Sequence, residues 1–231
     1  MVRQKTHPRY DWTRDRYGLL FVLLIASYVL TGFGESWLIR VAFGLVLIVV
    51  FILAALAEDI PAAVTRIVLV VSAFIVVAYL VGAIADVGDT GKGLLSATAA
   101  VAQFSAVVLI LYRIAHHTTV SFQTVMGGIA AYALLGFAHG SLYEAVDQLT
   151  TSDFFGEPVV HGDYLYFSLV TLTTLGYGDL VPVTELGKRL VTVEALVGQV
   201  FLVTLVARLV ALLGQPLPRQ QQQRRPDGGK T

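Results

Sequence analysis

The run Thr171-Leu172-Thr173-Thr174-Leu175-Gly176-Tyr177-Gly178-Asp179 decides how the chain must be read. A cation that sheds its water needs other oxygens in exchange. Backbone carbonyls can supply them if consecutive residues turn C=O the same way. An extended strand alternates its carbonyls. Aligning them calls for left-handed backbone angles at alternate positions, which glycine accepts and other residues resist. Gly176 and Gly178 have that spacing. Thr174 adds a hydroxyl at the inner end, and Tyr177 is expected to point away from the axis and brace the loop. The preceding stretch, 163–170, is long enough for a short helix of about three turns. Its C-terminus would face the membrane centre and favour a cation there through the helix dipole. One chain supplies one loop and a closed ring takes four, so a homotetramer is expected.

The composition around this run is that of a membrane protein. Of 231 residues, 56% are hydrophobic and only 14% charged, and the mean hydropathy is +0.73. A soluble domain carries roughly 25% charge, so too few charges remain here to coat a water-facing surface. Lys+Arg and Asp+Glu both number 16, which leaves no basic footprint for nucleic acid. The absence of cysteine excludes disulfides, thiolate chemistry and cysteine-based zinc sites.

Six hydrophobic stretches approach the roughly 20 residues that a spanning helix needs: 17–33, 37–57, 62–85, 94–115, 120–143 and 184–213. Short polar joints separate the first four, including the one from Val87 to Gly93. The first 16 residues hold Arg3, Lys5, Arg9, Arg14 and Arg16, and the last 18 hold Arg219, Arg224, Arg225 and Lys230. Positive charge marks the cytoplasmic side, so both ends are expected there, and an even number of spans follows. The first span reads as an uncleaved signal anchor, because no clear small-x-small site follows it. The segment between spans five and six then lies outside, and it is acidic: Glu144, Asp147, Asp153, Glu157, Asp163 and Asp179. The expected fold is thus an all-α membrane protein of six transmembrane helices, with a re-entrant helix and loop between helices 5 and 6. Its parts are a cytoplasmic segment 1–16, a four-helix domain 17–117, a pore domain 118–213 and a Gln/Arg/Pro/Gly-rich tail 214–231, expected to be disordered.

The central run resembles the potassium-channel signature Thr-Val-Gly-Tyr-Gly-Asp, with Leu175 in place of Val. Loops of this kind are best known from potassium channels, so the match is a resemblance and not a derivation. It covers residues 120–213, about 40% of the chain. It implies a passive K⁺-selective channel in the plasma membrane. K⁺ would be held at Thr174, Leu175, Gly176 and Tyr177, within a filter running from Thr174 to Gly178. Thr173 and Asp179 would support it. Gly198, 20 residues after Gly178, matches the hinge glycine of the inner helix. From it a stripe through Gln199, Leu202, Val206 and Val210 would face the cavity, with an apolar lower part able to close by dewetting. Some prokaryotic channels place a carboxylate on the pore helix to pair with the signature Asp. The matching position here is Val170, so Asp179 is expected to find another partner, a tyrosine or a water. The alternative is a weakly selective monovalent cation channel of the same fold, because Leu175 alters the shape behind the filter.

Other residues leave choices open. Glu194 lies about ten residues into the sixth span. An intramembrane carboxylate is costly and marks a functional candidate. It reads either as a proton- or cation-sensitive element or as a carboxyl that bonds a pore-helix hydroxyl and fixes packing. Gly136 and Gly140 form a G-x-x-x-G expected to pack against span six or a neighbour. His139 is expected to pack within span five. His116 and His117 have too few ligands near them for a metal site, and Arg40 and Arg66 can snorkel from span ends. A voltage-sensing span carries Arg or Lys at every third position, whereas span four has only Arg113. Weak voltage dependence is therefore expected. No Ser/His/Asp group, metal cluster or phosphate loop suggests an enzyme, and no cofactor is expected beyond K⁺ as the permeant ion. The expected partners are further copies of the chain, membrane lipid and monovalent cations.

Overall fold

The computed structural model describes residues 17–33, 88–116 and 122–213, with single helical positions at 73 and 77. Among these residues every regular element is a helix. They are α1 (Tyr17–Thr31), α2 (Gly88–His116), α3 (Phe122–Leu149), the short α4 (His161–Leu172) and α5 (Glu185–Leu213). Among the described residues, three windows are long and apolar enough to cross a membrane: Gly88–Tyr112, Thr124–Leu149 and Glu185–Arg208. The chain is thus a multi-pass membrane protein. The stretches expected as spans two and three, with Arg40 and Arg66, lie outside the described residues, as do His117 and the tail.

Two helices exceed their apolar stretches. α2 starts at Gly88, so the joint expected from Val87 to Gly93 is mostly helix. Asp89 stands in its first turn, where the helix dipole favours a carboxylate, and Lys92 Nζ meets Asp89 Oδ1 at 3.3 Å. α3 runs six residues past the expected limit of 143 and takes in Glu144 and Asp147, which were expected in the acidic loop. Glu144 is buried. It accepts bonds from Ser96 Oγ at 2.9 Å and Gln148 Nε2 at 3.3 Å, and His161 Nδ1 lies 2.8 Å away. A satisfied carboxylate can stay in a packed helix.

The helices form one bundle with α3 at its centre. Leu20 and Leu24 of α1, Ala106, Val107 and Ile110 of α2, Leu134 and Phe137 of α3, and Leu165 and Leu172 of α4 share one apolar core. A second cluster of Tyr143, Phe154, Phe155, Tyr164 and Phe167 packs under the loop that joins α3 to α4. At this end, Asp147 Oδ1 accepts from Phe154 N at 2.5 Å, Tyr164 Oη donates to Asp147 Oδ2, and Val183 N donates to Phe154 O at 2.9 Å. The last turn of α1 reaches the same end, where Thr31 lies against Gly162. The other end holds Tyr17, Ile114 and Gly127 in contact. There Arg208 Nη2 donates to Ile114 O at 2.6 Å, tying the end of α5 to the end of α2.

Glycines set the closest approaches. A Cβ on Gly140 would lie 3.0 Å from Leu165 Cα, and one on Gly136 would lie 2.6 Å from Leu169 Cδ2. The G-x-x-x-G face of α3, expected to meet span six or a neighbour, is therefore covered by a neighbouring helix, α4. α5 meets α3 about two helical turns earlier, at Gly128, where a Cβ would lie 2.6 Å from Leu205 Cδ1. At Gly140 the obstacle is backbone, which cannot rotate aside. Gly140→Val is expected to push α4 off α3 and cost about 1–3 kcal/mol by overpacking. Gly18, with nothing within 4 Å of its would-be Cβ, should accept Ala with an unchanged or slightly raised melting temperature. Thermal unfolding of the two variants in detergent checks the pair, and equal melting would contradict the packing account.

Candidate ion-binding loop

α4 stops at Leu172 because its last carbonyls find partners that continue the chain elsewhere. A helix end leaves four C=O groups without helical donors. Leu169 O accepts from Thr173 N at 3.1 Å and Thr171 O accepts from Thr174 N at 2.9 Å. Val170 O accepts from Leu175 N at 2.9 Å and from Gly176 N at 3.3 Å. Leu172 O accepts from the Tyr132 hydroxyl of α3 at 2.7 Å. Thr173 Oγ1 adds a bond to Leu169 O at 2.7 Å.

This pattern fixes the direction of the following carbonyls. Among the described residues there is no cis peptide. In a trans peptide the N–H and the C=O of the same unit point opposite ways. The N–H groups of Thr174, Leu175 and Gly176 all return to α4. The carbonyls of Thr173, Thr174 and Leu175 therefore all turn away from it. φ is +59° at Thr174, +53° at Gly176 and +79° at Gly178, the alternation expected for aligned carbonyls. The sequence offered glycine at two of these positions. Thr174 is the third and, among the described residues, is the only non-glycine with positive φ. Such a conformation persists only where its surroundings enforce it, and here the bonds on either side do so.

The side chains brace the loop from behind. The Tyr177 ring stacks on Tyr166 of α4, with centroids 6.5 Å apart and planes 9° from parallel. Tyr166 Oη donates to Asp179 Oδ2 at 2.6 Å. The expected substitute partner of Asp179 is thus a tyrosine. This bond holds the Asp179 carboxyl below the usual carboxylate range, so the pairing is present at neutral pH and is lost as pH falls through that lowered value. Residues 173–179 are all exposed in the single chain, with α4 on one side only.

Glu194 of α5 is fully buried behind α4. Tyr143 Oη donates to its Oε2 at 2.5 Å, and Ser168 Oγ of α4 bonds its Oε1. Ser168 Oγ also lies 2.7 Å from Gly136 O. His139 Nδ1 bonds Leu135 O at 2.9 Å and stands 3.8 Å from Glu194 Oε1, while its ring meets Phe104 edge-on at 4.9 Å. Of the two readings of Glu194, the bond to a pore-helix hydroxyl is present. Ser168, Tyr143 and Tyr132 escaped the sequence reading. A hydroxyl inside an apolar span was their only signal.

Against the other described residues α5 buries one stripe: Gly187, Leu190, Glu194, Gly198, Phe201 and Leu205. A Cβ on Gly198 would lie 2.5 Å from Leu172 Cδ1 and 3.4 Å from Leu172 O, so glycine here lets α5 close on the end of α4. Gln199, Leu202, Val206 and Val210 stand on the uncovered side, together with Leu196 at 62% and Val200 at 66% exposure. The structure brings Gly198 and Glu194 against α4, while Val206 and Val210 extend away from the loop. No cluster of three or more His, Asp or Glu suited to a metal occurs among the described residues.

Residues 128–215 match the Ion_trans_2 family, described as an ion channel. Over 49 residues, 21% of this chain, the sequence is 49% identical to the two-pore potassium channel 4 of Arabidopsis thaliana. Over 71 residues, 30% of this chain, it is 41% identical to the two pore potassium channel b of Oryza sativa subsp. japonica. The matches span only 17% and 18% of those relatives. The family match begins within α3 and runs just past α5, so it contains α4 and the whole loop.

Proposed function

We propose that the chain is a passive K⁺-selective channel that works as a homotetramer in the plasma membrane. The observation that carries this reading is the loop whose carbonyls at Thr173, Thr174 and Leu175 turn the same way, with positive φ at every second residue from Thr174 to Gly178. Four copies around an axis would surround a dehydrated cation with oxygens. K⁺ would be held by carbonyls of Thr174, Leu175, Gly176 and Tyr177 and by the Thr174 hydroxyl. Thr173 would hold the loop to α4, and Asp179 would anchor its far end through Tyr166. The uncovered side of α5 supports assembly: Gln199, Leu202, Val206 and Val210 would line the cavity, and its other apolar residues would meet lipid or neighbours. Gly198 would serve as hinge.

Six spans, with both ends cytoplasmic, is the topology we propose. α1 ends and α2 begins at the loop end of the bundle. An even number of crossings between them is what the apolar stretches 37–57 and 62–85 would supply.

Three outcomes are expected. Gly176→Ala should abolish selective conduction, since an alanine in the left-handed region costs about 1–2 kcal/mol in each subunit and no neighbouring atom need interfere. Bi-ionic reversal potentials of reconstituted protein measure this. Parent protein passing Na⁺ as well as K⁺ would favour the weakly selective alternative. Detergent-extracted protein should have about four times the chain mass of 25.0 kDa, and a conducting monomer or dimer would refute the ring. Conductance should change shallowly with voltage, because steep gating takes about 3–4 charges per subunit and span four carries only Arg113. A steep curve flattened by Arg113→Gln would show a working sensor.

A further inference from the structure

We infer that Glu194 positions the pore helix as a neutral carboxylic acid, so that each subunit stores one proton directly behind α4. Three contacts converge here: Tyr143 Oη with Glu194 Oε2, Ser168 Oγ with Glu194 Oε1, and Ser168 Oγ with Gly136 O. A carboxylate and a backbone carbonyl only accept. With Glu194 ionised, the two hydroxyl protons of Tyr143 and Ser168 must fill three contacts, and one stays empty. A proton on Glu194 completes the set. Glu194 then donates to Ser168 Oγ, Ser168 donates to Gly136 O, and Tyr143 donates to the other Glu194 oxygen.

The surroundings agree with the count. Glu194 has no solvent exposure, and among the described residues no lysine or arginine lies in ion-pair range of it. The titratable side chains around it are Tyr132, His139 and Tyr143, all from α3; α4 presents only the Ser168 hydroxyl. His139 directs Nδ1 to Leu135 O at 2.9 Å, and Glu194 Oε1 is farther, at 3.8 Å. An isolated buried charge is costly enough that such a group takes up a proton instead. The chain Glu194–Ser168–Gly136 then links α5, α4 and α3 by directed bonds one turn from the residues that hold the filter. Losing the proton would leave an ionised group there and break that chain.

This inference deepens the channel reading and rests on it. Its test has one arm that needs no conduction. Infrared absorption of the purified protein at neutral pH should contain the C=O stretch of a neutral carboxyl that Glu194→Gln removes. In reconstituted channels, Glu194→Gln supplies one acceptor and one donor as the acid does. It should keep selective K⁺ flux and lose the alkaline fall in activity expected of the parent. Glu194→Ala, which leaves Ser168 and Tyr143 without partners, should lower flux about 5- to 100-fold. No such band at neutral pH would overturn the proposal, whether Glu194 is then a free carboxylate or paired with a His139 imidazolium. So would a Glu194→Gln variant as impaired as Glu194→Ala. A band present in a protein that does not conduct K⁺ would refute the channel reading and leave the stored proton standing.

Discussion

The end of α4 is the constraint on which the molecule turns. Four carbonyls there need donors, and three come from the backbone that follows. A chain that folds back to cap its own helix must present its other face outward. Because the peptide is planar and trans, that face is a row of carbonyl oxygens. The loop's chemistry is therefore a consequence of how the helix is terminated. Glycine at 176 and 178 makes the turn cheap. The Tyr132 hydroxyl completes the capping by taking the last carbonyl, Leu172 O, from a different helix. The loop is thus referenced to α3 as well as to α4.

The described elements around α4 hold it in place. Glycines at 136, 140 and 198 let α3 and α5 approach it on two sides. The aromatic cluster around Tyr143 and Phe167 fills the space above, and Asp147 ties the incoming loop to Tyr164 and Phe154 N. The carbonyl face itself meets nothing in the single chain, and most of α5 is bare and apolar. A long apolar surface of this kind is stable only in lipid or against other helices. A lone protomer is a wall without a channel, which is why the proposed function and the proposed oligomer stand together.

Much of this was legible in the sequence because the decisive signals are local. Two glycines with one residue between them and an apolar run of the right length specify the loop and its spans. The boundaries of α2 and α3 were less legible. Their ends are polar, and hydropathy cannot tell a charged loop from a charged helix whose side chains find partners. Glu144 stays in α3 only because Ser96, 48 residues away, and His161, 17 residues away, reach it. The face of α3 bearing Gly136 and Gly140 was legible as a close contact, but its partner was left open between span six and a neighbour, since a short re-entrant helix leaves no hydrophobic length that announces where it docks. The left-handed Thr174 was hidden for the opposite reason. Its strain is imposed by neighbours, and threonine has no propensity for it.

The two ends of the bundle differ in how they are held. At the loop end, α5 is pinned through Glu194 to Tyr143 and Ser168, while Gly187 packs on Phe154. Towards the far end, the Phe201 ring lies against Tyr132, Leu205 fits against Gly128, and Arg208 bonds Ile114 O. Directed bonds between buried groups resist displacement, because each broken one leaves a polar atom unpaired in an apolar setting. A smooth apolar contact can slide at less cost. If α5 moves, the arrangement favours motion beyond Gly198, with the loop end held still. Arg208 would then register that motion. Its guanidinium grips a carbonyl in the last turn of α2, so a swing of α5 must either carry α2 along or release that carbonyl. Through this contact α2 would respond to any displacement of the end of α5.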